Sequence, residues 1–242
     1  TSGSNVTLVD AGAIDLGAST VSGTYAVTAT ADGDITDSGV LAITGTSTLT
    51  AADEQSIILD QSSTFGTVAF VASSGNLKNV TIKDSNAFDL SALTLVQVSS
   101  AGGNLSVTAG GAVTDSGTLV IPGTATISAS SQAVTLDDSS NNFATIAITG
   151  ANVAITDTNA IILGAATVSG TYSVTAGGAV TDSGTQEITG ATTISASGQD
   201  VTLNTSTNNF AAAVGITGAA VTVVDEDAID LGAATVSGTY SV

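Results

Sequence analysis

The sequence predicts an all-β fold, a parallel β-helix (β-solenoid) of roughly 10–11 coils of about 20–28 residues, with three short strands in each coil. Small and β-branched residues dominate the composition, and aromatic residues make up only 3% of the chain. Short apolar runs alternate with Gly, Ser, Asn and Asp. The whole pattern also repeats, at two lengths. β-Branched residues suit a pleated sheet, and few large side chains are available to fill a wide interior.

The longer repeat is visible by direct alignment. Four similar segments, beginning with NVTLVD, NVTIKD, NVAITD and AVTVVD, start at Asn5, Asn79, Asn152 and Ala220. Two more landmarks follow in the same order. The first is a TDSG string, whose acids are Asp37, Asp115 and Asp182. The second is a Phe before a small apolar run: Phe65, Phe143 and Phe210. We therefore expect one continuous β-solenoid segment, 1–242, with long units at about 5–78, 79–151, 152–219 and 220–242, the last one partial.

Each long unit divides again. The third contains pieces at 151–170, 171–190 and 191–218, and each piece ends in a hydrophobe-Ser/Thr-Gly triplet. Within a piece, runs of about five residues alternate apolar with polar, as expected of strands that have one buried face. Three such runs and three turns close a triangular coil, and successive coils stack about 4.8 Å apart. We expect strands of four to six residues and under about 5% helix.

The alternation also predicts the core. The residues expected to point inward are Ile14, Leu16, Val27, Ile35, Ile43, Val107, Val113, Ile127, Val134, Val174, Val180, Ile188, Ile194 and Val201. A slip of one residue in the strand phase would turn all of them to solvent. Two other all-β folds fit the sequence less well. A string of immunoglobulin-like domains usually carries a core Trp, which this chain lacks, and a β-propeller needs aromatic blade signatures.

The charge of the chain is one-sided. It has 21 acidic residues and two basic ones, Lys78 and Lys83, for a net charge of −19, and it has no His. We expect no nucleic-acid partner, because binding phosphates requires Lys and Arg. We also expect no membrane insertion, because the longest uncharged apolar run, 211–224, is too short to span a bilayer as a helix. The absence of Cys excludes disulfides and thiolate chemistry.

The strings NVTLVDAGAIDLGASTVSG, SVTAGGAVTDSG and ATTISASGQDVTLN resemble repeats of very large filamentous-haemagglutinin-like adhesins of Gram-negative bacteria. These are secreted exoproteins of the two-partner and autotransporter type. The resemblance covers nearly the whole chain and is weakest at 54–78 and 91–104. It implies a right-handed parallel β-helix, export to the cell surface and a structural or adhesive role. It implies no catalytic residues.

The acidic residues offer weak calcium candidates, since carboxylates are hard oxygen ligands. The densest cluster is Asp225, Glu226 and Asp227, and the next is Asp32 with Asp34. The recurring acids Asp10, Asp84, Asp157 and Asp225 are expected about three coils apart, too far to share an ion. The TDSG acids are better explained as turn caps. We therefore expect no cofactor, with calcium as the one candidate ligand.

One acidic position is variable. The acid of the AIDLG string, present as Asp15, Asp89 and Asp230, is replaced by Ile162 in the third unit. An obligatory ligand would not tolerate that replacement, so we expect an outward-facing position. Two other surface functions make different demands on the sequence. A polysaccharide-active β-helix enzyme would need converging acids or bases. An ice-binding array would need Thr-x-Thr in consecutive coils, and pairs such as Thr46/Thr48 and Thr124/Thr126 are expected to be too sparse.

These observations predict a structural or adhesive segment of an extracellular, bacterial cell-surface fibre, acting as a rigid rod without enzymatic activity. The alternative is a self-associating matrix, sheath or surface-layer protein. The expected partners are further repeats of the same chain, copies stacked end to end, or host, cell-surface or matrix glycans and proteins. Neither end of the chain looks like an atypical capping repeat. The sequence therefore predicts that 1–242 is a window on a longer polypeptide.

Overall fold

The fold is a β-solenoid built almost entirely from parallel strands. The computed structural model describes residues 1–98 and 100–242, and this part of the chain contains no helix. The strands stack in about 11 turns. The predicted parallel β-helix is therefore confirmed.

The chain divides into two compact units, Thr1–Gly123 (unit 1) and Thr124–Val242 (unit 2). The boundary lies within β16 (Leu119–Ser128). The strands of unit 1 are β1 (Ser2–Gly3), β2 (Val6–Asp10), β3 (Ile14–Leu16), β4 (Ser19–Val21), β5 (Tyr25–Ala29), β6 (Ile35–Asp37), β7 (Leu41–Ala51), β8 (Ile57–Ala72), β9 (Val80–Asp84), β10 (Phe88–Leu90), β11 (Leu93–Thr94), β12 (Gln97–Val98), β13 (Ala101–Gly102), β14 (Leu105–Ala109) and β15 (Val113–Asp115). The strands of unit 2 are β17 (Val134–Leu136), β18 (Asn142–Gly150), β19 (Val153–Asp157), β20 (Ile161–Val168), β21 (Tyr172–Ala176), β22 (Val180–Asp182), β23 (Gln186–Ile188), β24 (Thr192–Ser195), β25 (Val201–Leu203), β26 (Asn209–Phe210), β27 (Val214–Gly218), β28 (Val221–Val223), β29 (Leu231–Val236) and β30 (Tyr240–Ser241).

The first coil of unit 1 shows how the chain turns. The strands β2, β3 and β4 form its three faces, and they pair in parallel with β5, β6 and the start of β7 in the next coil. Contacts between neighbouring coils join residues 19 apart where Asn5 meets Thr24 and 25 apart where Asp89 meets Thr114. Coil length therefore varies along the chain while the faces stay aligned.

Strand length differs from the expectation of four to six residues. Many strands have only three residues, whereas β7 has 11 and β8 has 16. These long strands turn a corner without leaving the ladder, and the register between them shifts between Ile43 and Thr46. The corner of β7 is Thr44, Gly45 and Thr46. Small residues there let the backbone bend while it keeps its hydrogen bonds, a property that strand patterning alone does not reveal.

The long repeat does not contain a whole number of coils. In unit 1, Ile14 pairs with Ile35, Ile35 with Ile57, and Ile57 with Val80. Val80 is the counterpart of Val6, yet it lies on the face of Ile14 instead of the face of Val6. One long repeat in unit 1 therefore advances by three coils and one further face.

Unit 2 has the same offset. Ile161 pairs with Val180, Val180 with Val201, and Val201 with Val221. Val221 is the counterpart of Val153, which lies on a different face, the one that contains Tyr172. The expectation that equivalent residues lie about three coils apart is therefore corrected: within each unit they also lie on adjacent faces.

The predicted core is confirmed. Of the 14 residues expected to point inward, Ile14 is half-buried and the others are buried, with at most 2% of their surface exposed. Ile14 lies on β3, which pairs with β6 on one side. Burying a Val or Ile side chain contributes about 1.5–3 kcal/mol, and the ladders repeat this contribution coil after coil.

One excursion departs from the parallel pattern. In the stretch 91–104, where the repeat spacing changes, β12 and β13 pair antiparallel. Ser100, Gly102 and Gly103 in this stretch have positive φ angles of 64°, 88° and 71°. The chain thus forms a small hairpin here before β14 rejoins the stack beside β9.

The inward phase of the strands can be tested on β24. Ile194 is 1% exposed, whereas the adjacent Thr193 points to solvent. We predict that Ile194→Ala lowers the free energy of unfolding by about 2–5 kcal/mol, because it leaves a cavity in the ladder. The matched control Thr193→Ala should change stability by less than about 0.5 kcal/mol. Equal effects of the two substitutions in urea denaturation would contradict the assigned phase.

Candidate functional site

The polar corners of the coils carry the recurring residues of the sequence. At the corner before β2, the Asn5 Oδ1 atom accepts a hydrogen bond from the backbone N–H of Thr24 in the next coil (2.9 Å). Asn152 accepts one in the same way from the N–H of Thr171 (3.0 Å). The Asn79 Oδ1 atom accepts one from the N–H of Asn104 (3.1 Å). These amides satisfy backbone donors where the chain turns between faces.

At two of the hydrophobe-Ser/Thr-Gly triplets, the terminal glycine makes room for this contact. A Cβ atom on Gly23 would lie 2.3 Å from the Asn5 Oδ1 atom, and a Cβ atom on Gly170 would lie 2.3 Å from the Asn152 Oδ1 atom. Real Cβ atoms do not approach a neighbour this closely. At these two positions the Asn side chain of one coil therefore occupies the space that a side chain on the glycine of the next coil would need.

Two of the TDSG acids, Asp37 and Asp182, bind backbone N–H groups at a corner of the next coil. The Asp37 Oδ1 atom accepts hydrogen bonds from the backbone N–H groups of Asp60 (2.9 Å) and Gln61 (3.4 Å). Asp182 accepts hydrogen bonds from the N–H groups of Asn204 (2.9 Å) and Thr205 (3.1 Å). The expected turn-capping role therefore holds for Asp182, whose partners lie in a loop 22 and 23 residues later, whereas Asp37 binds a corner inside β8, 23 and 24 residues later.

A second kind of contact joins the Phe landmark to the Asp that ends the opening string of the next long repeat (NVTIKD, NVAITD or AVTVVD). The Asp157 Oδ1 atom accepts a hydrogen bond from the N–H of Phe143 (2.6 Å), and the Asp225 Oδ1 atom accepts one from the N–H of Phe210 (2.9 Å). Asp84 is hydrogen-bonded to the backbone of Phe65. We call each of these contacts an Asp–Phe clasp.

A backbone hydrogen bond accompanies each clasp. The residue after the Asp donates its backbone N–H to the carbonyl two residues before the Phe. The three donor–acceptor pairs are Ser85 to Ser63 (2.8 Å), Thr158 to Asn141 (2.7 Å) and Glu226 to Asn208 (2.7 Å). The landmarks that define the long repeat are thus direct partners in space, which explains why they recur in a fixed order.

Burial shifts the titration of several clasp and cap carboxyls. Asp84 and Asp157 are each only 2% exposed. Burial raises the pKa of both carboxyls above its ordinary value, and hydrogen bonds from backbone N–H groups offset this only in part. Burial likewise raises the pKa of Asp37, with the nearby carboxylate of Asp60 as a smaller cause. These acids hold neighbouring coils together, but burial disfavours the charged form of their carboxyls.

The calcium candidates do not converge. Asp225 belongs to a clasp, while Glu226 and Asp227 are exposed. Asp34 accepts a hydrogen bond from the N–H of Ser56 (2.7 Å), and Asp32 is exposed. Within residues 1–98 and 100–242, no three acidic side chains form a group that could hold a metal ion.

The variable acid of the AIDLG string points outward, as expected. Asp15, Asp89 and Asp230 are exposed, and Ile162 is 40% exposed. Asp89 accepts hydrogen bonds from the hydroxyls of Thr114 (2.7 Å) and Ser116 in the next coil. An outward position accepts an acid or an isoleucine, because neither affects the core.

Hydroxyl residues stack more regularly than the sequence suggested. In unit 2, five successive coils carry a hydroxyl at one position of a single face: Thr156, Thr175, Ser195, Thr217 and Thr235. The sequence expectation concerned Thr-x-Thr pairs, which need two such rows side by side. The row beside it, however, holds Ala154, Ser173, Thr193, Gly215 and Ala233. A continuous Thr-x-Thr array is thus absent from this described face.

Sequence reasoning missed the corner asparagines. They carried a usable signal, since an Asn preceding a Val-Thr or Val-Ala strand recurs with a Gly about one coil later, as in Asn5 with Gly23 and Asn152 with Gly170. The buried Ser63 and Asn208 were also missed. They accept hydrogen bonds from the N–H groups of Leu41 (3.0 Å) and Gln186 (2.9 Å).

Comparison with known proteins gives one match. The profile of a family described as repeats of unknown function (DUF5649) matches three successive stretches, 3–72, 77–149 and 150–217. No curated protein and no solved structure matches the chain. In the part of the chain that the structure describes, no helix is long and apolar enough to cross a membrane.

The Asn–Gly stack can be tested by a double-mutant cycle. We predict that Gly170→Ala lowers the free energy of unfolding by about 1–3 kcal/mol, because the new methyl group overlaps the Asn152 amide. In an Asn152→Ala background the same substitution should cost much less, giving a clear coupling energy. The control Gly17→Ala, where an added Cβ atom meets nothing within 4 Å, should leave stability unchanged or slightly raised. Additive effects of Asn152→Ala and Gly170→Ala would argue against the stack.

The buried clasps predict a pH dependence. Because the pKa of Asp157 is higher in the folded chain than its ordinary value of 3.8, the folded state binds the proton more tightly. The resulting stabilisation is full below the ordinary value and is lost as the pH rises through the raised one. We predict that wild-type stability increases on acidification from about pH 7 towards about pH 4, and that Asp157→Asn has a smaller increase.

The control for this measurement is Asp10→Asn, at the exposed counterpart of Asp157 in the first long repeat. It removes one negative charge without touching a buried carboxyl. It therefore accounts for the relief of general charge repulsion on acidification. If thermal melts give Asp157→Asn and Asp10→Asn the same pH slope, the buried clasp is not the source of the effect.

Proposed function

The chain belongs to the family of repeats of unknown function (DUF5649), and we propose that it is a non-catalytic structural segment that forms a rigid rod in a secreted bacterial surface fibre or adhesin. In this role the chain holds other parts of a fibre at a fixed distance from the cell. The resemblance of its repeats to filamentous-haemagglutinin-like adhesins supports this proposal. Stacked coils with a buried apolar core in each unit support the required stiffness.

The proposal rests on the recurring polar residues, which bind the backbone of neighbouring coils. Asp37, Asp157 and Asp182 accept hydrogen bonds from backbone N–H groups of other coils, and so does Asn152. In an enzyme, recurring acids would be expected to face a substrate. Here they hold one coil to the next, which is a mechanical role.

The charge distribution favours an extracellular setting. The net charge is −19, and many of the acids lie at turns and strand ends, such as Asp32, Asp53 and Asp200. A highly charged surface keeps a long repetitive object soluble and separate from its neighbours. An adhesive partner, which we propose to be a host, cell-surface or matrix glycan or protein, would be recognised by side chains on the faces of the rod.

A second candidate is a matrix, sheath or surface-layer protein whose copies associate side by side. The observation that favours it is the hydroxyl row of unit 2, from Thr156 to Thr235, which carries no charge over five coils. Two copies could meet on such a face without bringing like charges together.

The rod proposal is tested by changing the number of repeats. Duplicating the third long repeat, 152–219, adds three coils and one face, so the rod should lengthen by about 16 Å at roughly 4.8 Å per coil. Small-angle X-ray scattering on the purified chains measures the maximum dimension. An increase of this size with an unchanged cross-section supports the rod. A chain that grows in width instead would rule out the spacer role.

Light scattering on the same samples separates the two candidates. A discrete monomeric particle favours the spacer. Polymers that grow with protein concentration favour the self-associating protein.

A further inference from the structure

Four asparagines of the chain begin an Asn-x-Ser/Thr sequence, which is the acceptor motif for N-linked glycosylation. They are Asn5, Asn79, Asn104 and Asn204. The motif needs a carboxamide that a transferase can reach and a short segment that can enter an active site. Folded structure decides which of the four meets these conditions.

Three of the four asparagines are part of the stack. Asn5, Asn79 and Asn104 each lie directly before a strand, β2, β9 and β14 respectively, so the next two residues of their motifs are paired in the parallel ladder. The Asn5 amide oxygen binds both the N–H and the hydroxyl of Thr24. These segments cannot leave the solenoid without opening a coil.

The amides of the other two stack residues contact the neighbouring coil, with Asn79 half-buried and Asn104 exposed. Asn79 accepts a hydrogen bond from the N–H of Asn104, and its Nδ2 atom donates to the hydroxyl of Ser56 (3.4 Å). The Asn104 Oδ1 atom lies so close to Gly123 that a Cβ atom there would be 2.5 Å away. A saccharide on either nitrogen would have to displace the neighbouring coil.

Asn5 and Asn104 are exposed residues as well, so Asn204 is distinguished by its backbone and its hydrogen bonds. It lies in the loop between β25 and β26, outside the ladder, and its side chain is exposed. Its backbone N–H is bound by Asp182, which fixes the loop, but among the described residues no group hydrogen-bonds to its carboxamide. Ser206, the hydroxyl residue of the motif, is exposed in the same loop.

The other long repeats lack this asparagine. The equivalent position is Asp60 in the first repeat, at a corner inside β8, and Asp137 in the second, in a loop. The position therefore holds a polar residue of this size in each repeat, and in the third repeat that residue can be modified.

We propose that Asn204 is an N-glycosylation site of this protein. The Asn204 Nδ2 atom attacks C1 of a diphosphate-activated saccharide bound to a glycosyltransferase. The N–C1 bond forms, the C1–O bond to the diphosphate breaks, and the diphosphate leaves with the electron pair. The nitrogen gives one proton to a base of the transferase. The biological setting rests on the proposed export of the chain, whereas the selection of Asn204 rests on the fold alone.

The test uses the folded, purified chain. It is incubated with a soluble N-glycosyltransferase that moves one hexose from a nucleotide-diphosphate sugar to Asn-x-Ser/Thr motifs. Cleavage after Asp then places Asn5, Asn79, Asn104 and Asn204 on four different peptides, because acids at Asp10, Asp60, Asp84, Asp89, Asp115, Asp200 and Asp225 separate them. Mass spectrometry gives the rate of hexose addition at each asparagine.

We expect one hexose per folded chain, on Asn204, with addition at Asn5, Asn79 and Asn104 at least about tenfold slower, because the motif segments of those three leave the ladder and enter an active site only after local opening. Asn204→Gln should abolish the rapid addition, and the control Asn79→Gln should leave it unchanged. The urea-unfolded chain, diluted into the reaction immediately before it refolds, should be modified at all four positions.

Two results would overturn the proposal. One is comparable addition at Asn5, Asn79 or Asn104 in the folded chain. The other is a folded chain that stays unmodified at Asn204 while the unfolded chain is modified there. Neither result bears on rod length, so failure of the glycosylation site is distinguishable from failure of the structural role.

Discussion

The hydrogen bond from a backbone N–H group to a side-chain oxygen of the neighbouring coil is the contact on which this structure depends. Along a flat face, the ladder pairs each strand with the next. At a corner the chain changes direction, and side-chain oxygens of the neighbouring coil accept hydrogen bonds from its backbone N–H groups, each contributing about 0.5–1.5 kcal/mol. Asn5, Asn152, Asp37 and Asp182 supply those acceptors. The apolar ladders give the solenoid its stability, and the corners keep successive coils in register.

Each Asp–Phe clasp joins the end of one long repeat to the start of the next. In unit 2 the Asp and the Phe of a clasp are only 14 or 15 residues apart, which is less than a full coil. The clasp therefore joins two corners that follow each other closely along the chain. In each unit the new long repeat then starts on the face beside the old one, as Val80 does on the face of Ile14. Outward residues at equivalent positions are therefore distributed over adjacent faces. A ligand that recognised one such residue would meet its next copy around the solenoid instead of directly along it.

The acidity of the chain has two different origins. Exposed acids such as Asp15 and Asp32 surround the molecule with negative charge. Buried acids such as Asp84 and Asp157 instead act as hydrogen-bond acceptors within the stack, and burial raises the pKa of their carboxyls. The same residue type thus provides solubility at one position and cohesion at another. Asparagine shows a similar division, because the stack encloses the amide of Asn79 while the loop exposes that of Asn204.

The sequence by itself determined the all-β class, the parallel stacking, the repeat landmarks and nearly all of the core. Strand alternation has a period of two, so inward positions such as Val174 and Ile194 can be read directly from the pattern of apolar residues. It also determined that Asp15 and Ile162 occupy an outward position. Only the tertiary structure decided which coil each polar side chain serves. Asp37 binds a corner of β8 that lies 23 residues later, and the Phe65 backbone binds Asp84, because such partners are set by coil length and register. Coil length varies with corner conformation, as where β7 bends at Gly45, and small residues at a corner leave no periodic signal in the sequence.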